Sequence, residues 1–278
     1  MISSLHCLPA LCQFPLPDFS DENEPADPRR VVRAGKIDRH DPPLGRIVAL
    51  HHGGAQRPVV TRGGPHLRFR IPSVKTGMTE VGEGKGEELL AMYCEVNGEV
   101  LNYKCHPYRF ETALGGIPFS YRPDIAILWR SGLFEIVEVK RTPRDLGEED
   151  RTRLAWIREF LRRCGWHFTI RYLPEIFGSK HRKQNVEHIF GRRALKLSPK
   201  ELSFAHYARS NGKPIEWSQL AKRCCGGDER RGNAVVECLV ARGWFTLDFD
   251  ARFSPSTTLT PTRDVPQRPL LGFEGATV

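Results

Sequence analysis

Residues 122–140 read Arg-Pro-Asp-Ile-Ala-Ile-Leu-Trp-Arg-Ser-Gly-Leu-Phe-Glu-Ile-Val-Glu-Val-Lys. Two extended runs, Asp124 to Trp129 and Leu133 to Lys140, flank Ser131-Gly132. That pattern predicts antiparallel strands joined by a tight turn. Side chains alternate along a strand, so Glu138 and Lys140 project from one face while Glu135, Val137 and Val139 project from the other. Asp124 heads the first strand, and the turn folds it back toward Glu138 and Lys140. Hard divalent cations such as Mg²⁺ take oxygen ligands, usually one or two carboxylates with water and phosphate. Such a cation polarises a phosphodiester, and a nearby lysine stabilises the charge that develops on phosphorus. The chemistry expected of Asp124, Glu138 and Lys140 is metal-dependent hydrolysis of DNA.

Working outward, Glu87 to Glu95 holds strong helix formers with apolar Leu89, Leu90, Met92 and Tyr93, and Asn97-Gly98 ends it. Val100 to Tyr103, Pro107 to Leu114 and Ile117 to Tyr121 then look extended, the last two joined by Gly115-Gly116. A meander of short strands is the expectation. After Pro143 the period becomes helical. Glu148, Glu149 and Asp150 occupy a first turn, Leu154, Ile157 and Leu161 recur on one face, and Gly165 is placed as a stop. Trp166 to Leu173 reads as a further strand. The fold class expected for about residues 80–175 is α/β, a mixed sheet flanked by helices.

A second unit starts at Ser198-Pro199-Lys200-Glu201, a capping box with proline at the first helical position. Helices are expected to about Arg209, over Ile215 to Cys225 and over Asp228 to Arg242, followed by strands at Trp244 to Phe249 and Thr257 to Thr260. Three short helices and a hairpin predict a winged helix. Arg230 and Arg231 on its third helix would meet phosphates if it binds DNA; a protein-binding winged helix fits the same pattern.

Residues 1–75 carry Pro and Gly punctuation and short apolar patches such as Ile47-Val48-Ala49-Leu50, and are expected to be a poorly ordered leader with an edge strand near Leu67 to Ile71. The chain thus divides into leader, a nuclease-like domain over 76–178, a basic linker over 179–197, the winged helix over 198–260 and a loose tail over 261–278. Of 278 residues, 42 are Lys or Arg and 33 Asp or Glu. Residues 141–200 hold 15 of the basic and 7 of the acidic ones, nearly all of the +9 surplus. Arg141, Arg144, Lys180, Arg182, Lys183, Arg192 and Arg193 are therefore expected to follow a DNA backbone and give salt-dependent binding.

The eight cysteines form no C-x-x-C pair and no second pair sits at zinc-ribbon spacing, so a zinc ribbon is not expected. No apolar run approaches the roughly 18–20 residues of a membrane span. Met1 to Pro17 lacks a basic n-region and is broken by prolines. The expectation is a cytoplasmic protein with reduced thiols.

Pro123-Asp124 with Glu138-Val139-Lys140 resembles the motif of the PD-(D/E)xK nuclease superfamily. Within it, Gly84 to Pro174, about a third of the chain, is most similar to the N-terminal endonuclease domain of the TnsA family. Members of that family carry a helix-borne acid, a valine entering a strand about twelve residues on, and a Gln-Pro pair. Glu88, Val100 and His106-Pro107 fall at comparable positions, with Glu87 competing for the helical acid and His106 replacing glutamine. The resemblance implies a restriction-endonuclease-like fold and a Mg²⁺ (or Mn²⁺) endonuclease with Glu88, Asp124 and Glu138 as ligands and Lys140 as stabiliser. It further implies action on double-stranded transposon-end DNA beside a DDE-type transposase and an ATPase regulator. A stand-alone nuclease of restriction, repair or phage biology, and a winged-helix regulator with an inert nuclease-like domain, are the alternatives.

Overall fold

The computed structural model describes residues 29–34, 45–50, 55 and 67–263. In chain order the strands are β1 (Arg29–Ala34), β2 (Gly45–Leu50), β3 (Arg68–Pro72) and β4 (Thr79–Glu83), followed by helix α1 (Lys85–Val96). Next come β5 (Val100–Cys105), β6 (Tyr108–Leu114), β7 (Ile117–Tyr121), β8 (Ile125–Trp129), β9 (Phe134–Lys140), α2 (Glu148–Arg163) and β10 (His167–Tyr172). Then follow α3 (Leu173–Phe177), α4 (Arg182–Arg192), α5 (Pro199–Ser210), β11 (Ile215–Glu216), α6 (Trp217–Cys225), α7 (Glu229–Ala241), β12 (Phe245–Thr246) and β13 (Thr258–Pro261). The class is mixed α/β, as expected. The described residues fall into two units, one of residues up to Glu88 with Asn102–Leu173, the other of Leu89–Leu101 with residues from Pro174 onward. The expected continuous domain over 76–178 is corrected accordingly: most of α1 and the start of β5 group with the second unit.

In the first unit, β8 and β9 pair antiparallel, with Ile125 opposite Val137 and Leu128 opposite Phe134. Gly132, at φ +89°, makes the turn. β10 runs parallel to β9, a pairing that needs a crossover, and α2 supplies it. That helix closes with a Schellman motif: Gly165 N donates to Arg162 O at 3.0 Å and Trp166 N to Leu161 O at 2.9 Å. Its buried Leu154, Ile157, Phe160 and Leu161 are the face the period predicted. Phe110 packs edge-on against Phe160 at 5.9 Å, and Phe134 against Trp166 at 4.6 Å. The sheet order is β10-β9-β8-β5.

The meander expectation is corrected here. β6 and β7 do form a hairpin, closed by Gly115 at φ +59° and Gly116 at φ +83°, angles that suit a two-residue I′ turn. They lie in a separate sheet, β1-β2-β6-β7. The leader expectation is corrected as well. β2 pairs along its length with β6, and its Ile47, Val48 and Ala49 are buried. The edge strand expected near Leu67–Ile71 is present as β3, paired with β4. His51-His52, Cys7, Cys12 and the tail beyond residue 263 lie outside the described residues.

In the second unit, α5 opens with the anticipated capping box: Ser198 Oγ accepts from Glu201 N at 3.3 Å, and Glu201 Oε2 accepts from Ser198 N at 2.6 Å. The helix expected over Ile215–Cys225 instead begins at Trp217, because Ile215 and Glu216 are paired with β13. β12 is only two residues long and pairs with the other end of β13, giving the order β11-β13-β12. Val235, Val236, Leu239, Phe245 and Leu259 are buried at its centre. The expected linker over 179–197 is replaced by α4. Val186 and Ile189 of that helix are buried, and Asn185 Nδ2 donates to Phe249 O and Ala251 O, each at 2.8 Å. The six described cysteines are all free. Among the described residues, no helix is long and apolar enough to cross a membrane.

Candidate active site

The β8–β9 register, continued by one pair, puts Asp124 opposite Glu138. Val139 N donates to Asp124 Oδ2 at 2.6 Å, which pins the carboxylate against β9. On the neighbouring position, Glu138 Oε1 accepts from Lys140 Nζ at 2.5 Å and Oε2 from Tyr121 Oη at 2.5 Å. Glu138 is buried, and each of its oxygens accepts one of these bonds, which leaves each a further lone pair. Glu135 points the other way, as alternation requires. It takes Trp129 Nε1, Thr169 Oγ1 and Arg171 Nη2, so its role is to tie β8, β9 and β10 together.

The electrostatics are those of a negative pocket short of cations. Asp124 is held well above the ordinary carboxylate range, first by burial and then by the charges of Glu138 and Glu87; the Val139 N–H and Lys140 pull it back only in part. Burial alone would lower Lys140, but Glu138, with Asp124 and Asp150 behind it, outweighs burial and raises it. Tyr121 is pushed well above the phenol range by burial, then by Glu138 and Asp124, so it stays a donor at neutral pH.

The helical acid that meets Asp124 is Glu87, not Glu88. Glu87, His106 and Asp124 each offer a ligand atom, and the three atoms lie within 4.8 Å of one another. Neither Glu88 nor Glu138, the other two acids expected as ligands, is in that group. For Glu88 the reason lies in the helix start. Gly84, at φ +82°, precedes α1, and Glu87 Oε2 reaches back to accept from Glu83 N at 3.1 Å. That contact turns residue 87 toward β4 and β5, and the next residue around the helix faces about 100° away.

His106 is the residue whose place in the site could not be assigned from sequence. It stands between β5 and β6 at φ +48°, a conformation uncommon for a residue other than glycine. Its N–H donates to Asp124 O at 2.8 Å, which joins the two residues through the backbone. A buried ion pair holds the strand just before it: Lys104 Nζ meets Glu80 Oε1 at 2.6 Å, and Glu80 Oε2 accepts from Cys105 N at 2.9 Å. Two carboxylates and an imidazole nitrogen converging in a pocket of unbalanced negative charge fit a divalent cation.

The basic residues divide sharply. Arg182 is bound by Asp250 and donates to Glu175 O. Arg192 and His188 hold the buried Glu237, each at 2.8 Å. Arg231 grips Glu201 with Nε at 2.7 Å and Nη2 at 2.9 Å. Arg193 donates to Phe190 O at 2.9 Å, and Lys183 lies 3.7 Å from Glu187. Arg141, Arg144, Lys180 and Arg230 are exposed and form no ion pair among the described residues.

No model of a known protein family matches the chain, and no curated protein matches it.

Proposed function

We propose that this chain is a divalent-metal-dependent DNA endonuclease of the TnsA kind, cutting transposon-end DNA together with a DDE-type transposase and an ATPase regulator. The observation that carries the reading is the convergence of Asp124, Glu138 and Lys140 across one hairpin, with an acid from the preceding helix beside them. A helix before the hairpin, then a helix and a parallel strand after it, is the surrounding expected of a restriction-endonuclease-like domain. The sequence of elements α5-β11-α6-α7-β12-β13, with the sheet ordered β11-β13-β12, supports reading the second unit as a winged helix, which would suit DNA or partner contact.

Each residue has a distinct part. Asp124 and Glu138, with Glu87, would hold the cation, which when bound supplies Lewis-acid polarisation of the scissile phosphodiester and charge for the leaving oxygen. Val139 N–H fixes the Asp124 carboxylate so that its remaining lone pairs face the pocket. Tyr121 orients Glu138 through its phenolic proton. Lys140, kept charged by Glu138, donates toward the non-bridging phosphate oxygen as negative charge builds during in-line attack by water. Arg141 and Arg144 continue directly from Lys140 and would meet the flanking phosphates.

The test is nicking of a plasmid carrying transposon ends, with Mg²⁺ or Mn²⁺ and the co-encoded transposase present. Lys140→Ala should reduce single-strand nicking about 10²–10³-fold, and Asp124→Ala should abolish it. Undiminished nicking by both variants would refute the assignment.

A further inference from the structure

Beside the carboxylates that the nuclease reading uses stands a buried ring nitrogen that makes no hydrogen bond. His106 is 3% exposed, and its Nε2 makes no hydrogen bond. It lies 3.2 Å from Glu87 Oε2, close enough for an ion pair, yet the two atoms do not meet with hydrogen-bond geometry. Buried ring nitrogens are nearly always satisfied, and an orphan one asks for an explanation such as an ion. The ring is aimed at the space between Glu87 and Asp124, the three ligand atoms lying within 4.8 Å of one another. The left-handed backbone at residue 106 is maintained by the bond from its N–H to Asp124 O.

We propose that Glu87, His106 and Asp124 form a mixed imidazole–carboxylate site for a first-row transition-metal dication such as Mn²⁺, with His106 Nε2 as the ligand that selects it over Mg²⁺. Mg²⁺ demands near-ideal octahedral oxygen coordination and keeps most of its water, so an imidazole in its first shell contributes little. Manganese accepts carboxylate and water as magnesium does, but as a softer, less strictly octahedral ion it takes an imidazole nitrogen more readily. One imidazole and two carboxylates also leave open positions for a phosphate oxygen and water, which tetrahedral all-protein zinc sites do not. The proposal rests on the nuclease reading for what the metal does, and its test uses no DNA.

The experiment is binding of Mn²⁺ to the full chain, followed by loss of the free-ion electron paramagnetic resonance signal, with Mg²⁺ as competitor. The wild type should bind Mn²⁺ at least about tenfold more tightly than Mg²⁺. His106→Asn keeps a residue that tolerates positive φ and offers an amide oxygen instead of the ring. It should weaken Mn²⁺ about tenfold or more while leaving Mg²⁺ nearly unchanged. Equal affinity of the wild type for both ions, or of the variant and wild type for Mn²⁺, would overturn the proposal. A second measurement needs no variant. Pulsed resonance of the Mn²⁺-loaded wild type should show a directly bonded imidazole nitrogen, and its absence also overturns the site. Nitrogen-ligated Mn²⁺ without DNA nicking would sink the nuclease reading and leave this one standing. Nicking with no nitrogen coupling and no preference for Mn²⁺ would do the reverse.

Discussion

Replacing Asp124 by asparagine should make the metal-free protein more stable while removing its ability to hold a cation. Asp124 shares its pocket with Glu87 and Glu138, and only Lys140 among the described residues supplies a compensating charge. At 4.8 Å, the outer limit of its separation from Glu87, the repulsion is about 3.5 kcal/mol in an environment of effective dielectric near 20. Glu138 adds a larger repulsion, and attraction to Lys140 offsets less than either of the two. The substituted amide retains an oxygen for the Val139 N–H, so the hairpin contact survives, and its nitrogen can donate to either neighbouring carboxylate. After relaxation a net gain of about 1–2 kcal/mol is expected, equivalent to roughly 2–8 °C in melting temperature for a unit of this size. The assay is thermal unfolding at pH 7 and low salt in the presence of a chelator, repeated with Mn²⁺. The wild type should gain stability from the ion by linkage and the variant should not. If Asp124→Asn lowers or leaves unchanged the metal-free melting temperature, the pocket is not electrostatically strained and the argument for a cation there fails.

Other consequences follow from the same contacts. Glu201, held down to about 2 by the Arg231 hydrogen bond, contributes stability that is present above its ordinary value of 4.5 and lost as pH falls from there toward 2. With Arg231 partly in solvent, that contribution is about 1 kcal/mol; Glu201→Gln, which keeps the capping geometry, should lose it in urea unfolding at pH 7, and the gap to wild type should shrink by pH 3.5. Glu80→Ala would strand the buried Lys104 and cost about 3–5 kcal/mol, read as a fall in denaturant midpoint. Gly232→Ala would push a Cβ to 2.7 Å from the Ala221 carbonyl oxygen where α6 and α7 cross, and should cost about 1–3 kcal/mol. Alanine at Arg141, Arg144, Lys180 or Arg230 should each lessen the salt slope of DNA binding by about one, whereas alanine at Arg182, Arg192 or Arg231 should show first as lost stability.

How far the fold could be read from sequence depends on whether the partner of each segment lies nearby. Hairpins β6–β7 and β8–β9 announce themselves through Gly115-Gly116 and Ser131-Gly132, because the turn chemistry is local. Their assignment to different sheets is not local. β2 shows only the short apolar run Ile47-Val48-Ala49-Leu50, and what makes it a sheet strand is pairing with β6, some sixty residues further on. Helix α4 was hidden differently. Its charge suggests an exposed linker, yet the arginines that produce that charge are taken up partly by Glu237 and Asp250, acids far downstream. A count of charges locates a surplus but cannot say which members are already paired within the fold.

The site shows the same division at the scale of one residue. Asp124, Glu138 and Lys140 were legible because strand alternation and a single turn fix their relative directions, leaving no free variable. The helical acid had one free variable, the phase of α1, and adjacent residues differ by about 100°. That phase is set by Gly84 at the entry and by the reach of Glu87 back to Glu83 N–H, neither of which spacing to Val100 or Pro107 encodes. His106 had two: its backbone adopts φ +48°, which no propensity predicts for histidine, and its ring direction follows from that angle. Once placed, it accounts for a feature the carboxylates alone do not. Three acids around Lys140 would suit Mg²⁺ without help, and the imidazole buried beside Glu87 makes no hydrogen bond through its Nε2. Its burial costs solvation that a bond to a cation would return, so the residue least predictable from sequence is the one that bears on which cation the site would prefer.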